Sequence, residues 1–376
     1  MNRTAVREVL AVVDTGQLTH KLISGDSKLV LNSFPDNSIH LAVTSPPYFN
    51  AREYSQWRDL DSYLKDMEGV FKEVFRVLDN HRVFVLNVGD VNCKIGKQPW
   101  TNQRIPLGAL FTIMCQNIGF QYVDDFIWHK GEPQSFRHMH EPYPFYHYPV
   151  NCYEHILIFH KHVLDQTRLP CPECGTTQVQ NNSRAGIGVQ SWECNNEKCT
   201  HRSLGNRGKR YSARSIMMDR GKNEGNKIEK DLLKKWRRDI VAFSPVIKMH
   251  NGENKLGHSA PFPEDIPEFA IKVYTHKGDT VLDPFAGSFT TSLVAMRTGR
   301  HSIGIDVKDE FIKLGLKRLK NAVVQRTLDK THAFEVLDYN DIKDKKIRIP
   351  KSQIFDKEDY IEELKTDVLE VLEAKK

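Results

Sequence analysis

No apolar run in these 376 residues approaches the roughly 18 needed to cross a bilayer, so no helical membrane anchor is expected. The first residues, Met1-Asn2-Arg3-Thr4-Ala5-Val6-Arg7, lack the apolar stretch of a secretory signal. Together these point to the cytoplasm. Cysteine is sparse and odd in number, at 7, which argues for a reducing compartment rather than a disulfide framework. There is no internal repeat. No Gly-Lys-Ser/Thr follows the glycine turn at Gly287, so that turn is not a phosphate loop. Nor is it G-x-G-x-x-G, which disfavours a pyrophosphate cofactor. The charge excess is small, at +6.

Against these absences stand two segments with chemical content. An apolar strand-like run, Ile39-His40-Leu41-Ala42-Val43, delivers Thr44-Ser45-Pro46-Pro47-Tyr48 from a strand end into a cleft. Proline fixes φ and has no N–H to compete with its carbonyl, and the residue before each proline is pushed toward extended geometry. A serine hydroxyl, outward carbonyls and the Tyr48 ring suit the edge and face of a flat, amino-bearing ring. In the second segment, Val281-Leu282 reads as a short buried strand and Asp283-Pro284-Phe285-Ala286-Gly287-Ser288 as a tight turn. Thr290 opens a helix. Strand, glycine turn and helix N-terminus make the nucleotide-binding corner of an open α/β sheet. The next strand, Arg300 to Asp306, ends in an acid 19 positions beyond Gly287, placed to bind a ribose diol.

Asp-Pro-Phe-Ala-Gly-Ser with a following Thr-Thr, preceded by Thr-Ser-Pro-Pro-Tyr, resembles the β-class of S-adenosylmethionine-dependent DNA amino-methyltransferases. The catalytic motif comes before the cofactor motif, the circularly permuted order of that class. Further similar segments are Val83–Asp90, Ile127-Trp128-His129-Lys130, Tyr153–Phe159 and His258-Ser259-Ala260-Pro261-Phe262-Pro263. The resemblance spans roughly residues 20–162 and 236–320. It implies a Rossmann-like methyltransferase α/β fold, a mixed sheet with helices on both faces. It implies S-adenosylmethionine as cofactor, with the turn Asp283–Ser288 at its methionine moiety, Asp306 at the ribose, Asp26 near the adenine and Phe262 packed beside it. Ser45, Pro46, Pro47 and Tyr48 take the catalytic positions. The substrate is duplex DNA with a flipped base, and the setting is a prokaryotic or phage restriction-modification system. A cognate restriction endonuclease and a monomer or homodimer remain open.

One position departs from the family pattern. Phe289 stands where a second glycine is usual, and glycine there would permit positive φ or close approach to the cofactor. Phe289 is expected either in ordinary backbone space with its ring directed away, or crowding the methionine end.

Between the two halves lies an insert. Cys171-Pro172-Glu173-Cys174 and Cys194-Asn195-Asn196-Glu197-Lys198-Cys199 give C-x2-C and C-x4-C spacing, suited to a structural Zn2+; His201 is an alternative to Cys199. Residues 200–240 then carry 13 Lys/Arg against 5 acids, a basic block that points to a polyanion. The expected division is a catalytic half over 1–162, a zinc-ribbon-like, basic target-recognition insert over 163–240, a cofactor half over 241–335 and a helical tail over 336–376. Serine rather than aspartate at the first catalytic position resembles the cytosine-N4 branch. Adenine N6 is the alternative. A catalytically dead zinc-containing DNA-binding protein is the competing class, drawing on Phe289 and the basic insert, and an RNA methyltransferase is a third option.

Overall fold

The computed structural model describes residues 17–50, 56–94, 102–131, 151–184, 189–200, 210–222, 224–245, 249–250, 253–254, 263–325 and 331–364. A nine-stranded sheet forms its centre. In chain order the strands are β1 (Leu18–Ser24), β2 (Ile39–Thr44), β3 (Leu78–Val88), β4 (Gln121–His129), β5 (Tyr153–His160), β6 (Ile240–Ala242), β7 (Thr280–Asp283), β8 (His301–Asp306) and β9 (His332–Asp338). In space they run β6-β4-β5-β3-β2-β7-β8-β1-β9. Strand β5 is antiparallel to both neighbours, and the other adjacent pairs are parallel. The sheet is therefore mixed.

Both faces are covered, which is why the central strands read as continuous apolar runs. All six residues of β2 are buried. Alternation splits them: Ala42 packs with Phe84, Leu282 and Ile303 on one face, Leu41 and Val43 with Val281 and Val83 on the other. Helices α1 (Ser27–Leu31), α2 (Leu60–Val77) and α3 (Leu107–Ile118) cover the first face through Val30, Tyr63, Phe71 and Phe111. Helices α4 (Asp265–Tyr274), α5 (Thr290–Arg297) and α6 (Asp309–Gln325) lie on the second. Asp59 starts α2 by accepting the Ser62 N–H at 2.8 Å, and Gly119 ends α3 at φ 120°, a conformation open to glycine.

The insert begins where β5 ends and returns through β6. Because β5 runs against the parallel strands, both junctions lie at their N-terminal end. Strands 179–184, 190–194 and 210–211 form a small antiparallel sheet. Among the described residues the tail is helical in part, at Tyr339–Ile342 and over 357–364. Its first part is β9, an edge strand that continues the sheet across residue 335. The half-exposed pattern of β9 hid it in the sequence. Beyond it, Ser352 Oγ donates to Asp279 Oδ1 at 2.6 Å, Thr280 Oγ1 donates to the Pro350 carbonyl at 3.2 Å, and Tyr360 OH donates to the Pro170 carbonyl at 2.9 Å. Phe355 and Tyr360 pack with Leu169, Trp192, Tyr211 and Ile216. The tail thus straps the cysteine module to the start of β7.

Candidate active site

Strands β2 and β7 are adjacent and parallel, pairing Leu41 with Val281 and Ala42 with Leu282. Their C-terminal ends carry the two motifs, so Thr44–Tyr48 and Asp283–Ser288 emerge side by side. A hydrogen bond locks them: Thr44 Oγ1 donates to Asp283 Oδ1 at 2.7 Å. Thr291 Oγ1 donates to the other oxygen, also at 2.7 Å, and the Phe285 N–H adds a bond at 3.1 Å. Asp283 is 3% exposed, and burial outweighs these donors to raise its pKa to about 6.

On the catalytic side the loop is pinned from beneath. Phe49 is buried, its ring 5.5 Å from that of Tyr63, and Trp57 meets Tyr63 edge-on at 4.8 Å. Tyr63 OH donates to the Pro47 carbonyl at 3.1 Å, so one of the two expected proline acceptors already has a protein partner. Ser45 Oγ lies 3.2 Å from Tyr48 OH, which donates to Glu154 Oε2 at 2.9 Å. Glu154 Oε1 accepts from Lys130 Nζ at 2.9 Å. Burial and the adjacent Glu154 carboxylate push the Tyr48 phenol well above its ordinary pKa. A Cβ on Gly89 would fall 2.9 Å from Glu154 Cγ and 3.3 Å from the Tyr48 ring, so glycine there makes room for this pair.

On the other side the Gly287 N–H donates to Asp306 Oδ2 and the Lys308 N–H to Oδ1, each at 2.9 Å. Burial raises the Asp306 pKa despite them. Ser27 Oγ donates to the Pro284 carbonyl and the Gly25 N–H to the Asp306 carbonyl, which brings the β1 end to the same corner. Asp26 is exposed there and caps α1 through the Leu29 N–H at 3.0 Å. The side chains of Asp283 and Ser288 point inward: Ser288 is 3% exposed with Oγ 3.1 Å from Thr290 Oγ1. Pro284, Ala286 and Gly287 are buried, and Phe285 is the half-buried residue of the turn. Phe262 lies outside the described residues, as does His201.

Phe289 corrects one expectation and meets another. Its backbone is left-handed, φ 59° and ψ 36°, so the chain keeps the glycine-like turn. Its ring is fully buried and directed away from the turn, among Leu22, Leu293, Met296, Ile312 and Leu319. Gly304 and Gly315 make that socket: a Cβ on either would run into the ring.

The four cysteines Cys171, Cys174, Cys194 and Cys199 have their sulfurs all within 4.8 Å of one another. Cys171 and Cys199 are 3.9 Å apart, Cys174 and Cys194 3.7 Å. A tetrahedral site with Zn–S near 2.3 Å has sulfur–sulfur edges of about 3.8 Å, so the donor set fits. Gly175, at φ 66°, donates its N–H to the Cys171 carbonyl at 2.9 Å and closes the first knuckle. Strapped to the start of β7, the module sits at the opposite end of the sheet from Ser45.

Sequence reasoning placed Gly89, Lys130 and Glu154 in segments similar to the family but gave them no site role, and it missed Tyr63. The available signal was a charged residue in each of two neighbouring strand segments: Glu154 faces Trp128 in the β4–β5 register, two positions before Lys130.

A family model described as DNA methylase, of the N6/N4 methyltransferases, matches residues 39–317. The type II beta methyltransferase M.BslI of Bacillus sp. (strain NEB-606) is 37% identical over 305 residues, covering 79% of this chain. The chain spans only 27% of that relative's length. The type II methyltransferase M.ScaI of Streptomyces caespitosus is 26% identical over 306 residues, covering 80% of this chain and 81% of the relative. Among solved structures, the putative DNA modification methylase TTHA0409 of Thermus thermophilus, complexed with S-adenosyl-L-methionine, superposes with a TM-score of 0.54 at 25% identity. That match covers 85% of this chain and 100% of the other. With both motifs at one corner of this sheet and the family model spanning them, the chain belongs to the DNA methylases, as a β-class amino-methyltransferase.

Proposed function

We propose that the protein transfers a methyl group from S-adenosylmethionine to the exocyclic N4 amino group of cytosine in duplex DNA, at a specific site and within a restriction-modification system. The observation that carries this reading is the Thr44–Asp283 bond at 2.7 Å, which joins the amine-binding motif to the cofactor turn. The cofactor supplies an electrophilic methyl carbon on a sulfonium. The protein's task is to aim a nitrogen lone pair at it. An exocyclic amine is a weak nucleophile because its lone pair is delocalised into the ring. Acceptors on its two N–H bonds turn and pyramidalise the nitrogen; Ser45 Oγ and the Pro46 carbonyl take those roles, since Tyr63 already occupies the Pro47 carbonyl. Tyr48 stacks on the ring, worth about 1–3 kcal/mol against the few kcal/mol of unstacking. Positioning and aimed dipoles supply the rate.

Serine at position 45 supports cytosine N4 over adenine N6. For the cofactor, Asp306 and Asp26 flank the nucleoside and the turn backbone at Pro284–Ser288 holds the methionine moiety, Phe262 packing alongside. In this reading the chain is circularly permuted: the catalytic half spans 1–162 and the cofactor half 241–335. The insert 163–240 is held by one structural Zn2+ on the four cysteines. In this reading the insert as a whole serves target recognition, the cysteine knuckles holding it in place beside the tail, a role that the packing of Phe355 and Tyr360 on Leu169 and Trp192 supports.

Calorimetry with S-adenosylmethionine followed by transfer of its labelled methyl to DNA tests the reading. An enzyme binds the cofactor and labels DNA. A dead scaffold on the same fold does neither.

A further inference from the structure

We propose that Glu154, held by Lys130, sets the hydrogen-bond polarity of Ser45 and so makes the site selective for an amino group over a carbonyl at the same ring position. The inference rests on the functional reading above and deepens it. Glu154 is a positioning residue acting through Tyr48.

The argument is one of counting protons. Lys130 Nζ has only protons to offer, and Glu154 Oε1 accepts one at 2.9 Å. An ionised carboxylate only accepts, so Glu154 Oε2 takes the single Tyr48 phenol proton, at 2.9 Å. The phenol oxygen can then only accept from Ser45, 3.2 Å away. Ser45 therefore spends its one proton on Tyr48. What remains on Ser45 Oγ is lone pairs. The hydroxyl that would otherwise donate or accept at will is made an acceptor. An amino N–H is welcome there, whereas a carbonyl oxygen meets like-signed lone pairs.

The same chain gives the product proton a route. As the base nitrogen's lone pair forms the N–C bond, the methyl–sulfur bond breaks and its electron pair leaves on sulfur. The nitrogen now carries one proton too many. It passes that proton to Ser45 Oγ as the Ser45 proton moves to Tyr48 and the phenol proton to Glu154 Oε2. Each oxygen gains and loses one proton except Glu154, which ends as the carboxylic acid and returns its proton to solvent.

Binding without cofactor reads the polarity directly. The probes are duplexes carrying the mapped target site with either cytosine or uracil at the target position. Wild type should favour cytosine by about 10- to 100-fold, the range for a mismatched buried hydrogen bond. In Glu154→Gln the amide can donate to Tyr48, the chain can reverse, and the preference should fall below about threefold, with cofactor affinity and the thermal midpoint unchanged. Tyr48→Phe cuts the chain while keeping the ring, so Glu154→Gln added to it should change the preference by less than twofold. Lys130→Arg should keep most of it. If Glu154→Gln retains the wild-type preference, or if its effect adds fully to that of Tyr48→Phe, the inference is overturned while the methyltransferase reading stands. A wild type that methylates no DNA would overturn both.

Discussion

Thr44 and Asp283, 239 positions apart in the chain, share a 2.7 Å hydrogen bond at the ends of neighbouring parallel strands. Neither side chain is exposed enough to serve a ligand: Thr44 is wholly buried and Asp283 nearly so. Their bond fixes the spacing between the serine-proline-proline-tyrosine loop and the glycine turn. Under the proposed function, that spacing also sets the geometry of transfer.

Removing the acceptor should separate binding from chemistry. Ser45→Ala is expected to lower the transfer rate by about 100-fold, the scale for loss of one aimed dipole, with cofactor affinity near normal. Single-turnover methylation and calorimetry read the two quantities. Loss of cofactor binding would show that Ser45 supports the fold of the corner instead.

Phe289 offers a test of packing. Truncating a buried phenylalanine costs about 3–5 kcal/mol, and relief of a left-handed residue returns about 1–2 kcal/mol. Phe289→Gly should therefore destabilise by about 1–4 kcal/mol in urea unfolding. Gly315→Ala should destabilise as well, because its Cβ would enter the ring. A neutral Gly315→Ala would mean the socket is looser than described.

Asp283 gives a pH signature. Its folded pKa, about 6 against an unfolded value of 3.8, means the native state holds more protons between those limits. Stability from this group therefore falls as pH rises from about 4 to about 6 and stays low above, by at most about 3 kcal/mol. Asp283→Asn should flatten that slope in unfolding measured from pH 4 to 7.5. An unchanged slope would place the titration elsewhere.

Metal analysis should find one zinc per chain, and Cys171→Ser should release it. The strap through Tyr360 and Phe355 predicts that zinc loss loosens the insert and residues 350–364 while the nine-stranded sheet stays folded. Hydrogen exchange resolves the two regions. Protection lost across β2 and β7 as well would contradict this.

Much of this was legible beforehand because the signals were local. The runs of β2 and β7 and the Asp306 strand end each report burial on a fixed period. What escaped was relational. The inward aim of the Asp283 and Ser288 side chains depends on Thr44, Thr291 and Thr290, which periodicity does not weigh. The left-handed backbone of Phe289 is tolerated only because Gly304 and Gly315, 15 and 26 residues on, leave space. Edge strand β9 shows no alternation because both its faces are half covered.

Nucleoside mass spectrometry of host DNA, after expression in a strain without its own methylation, asks the central question in one step. The account predicts N4-methylcytosine, accumulating about 100-fold more slowly with Ser45→Ala when sampled early after induction. DNA with no N4-methylcytosine, or with amino methylation that accumulates at the wild-type rate in Ser45→Ala, would contradict it.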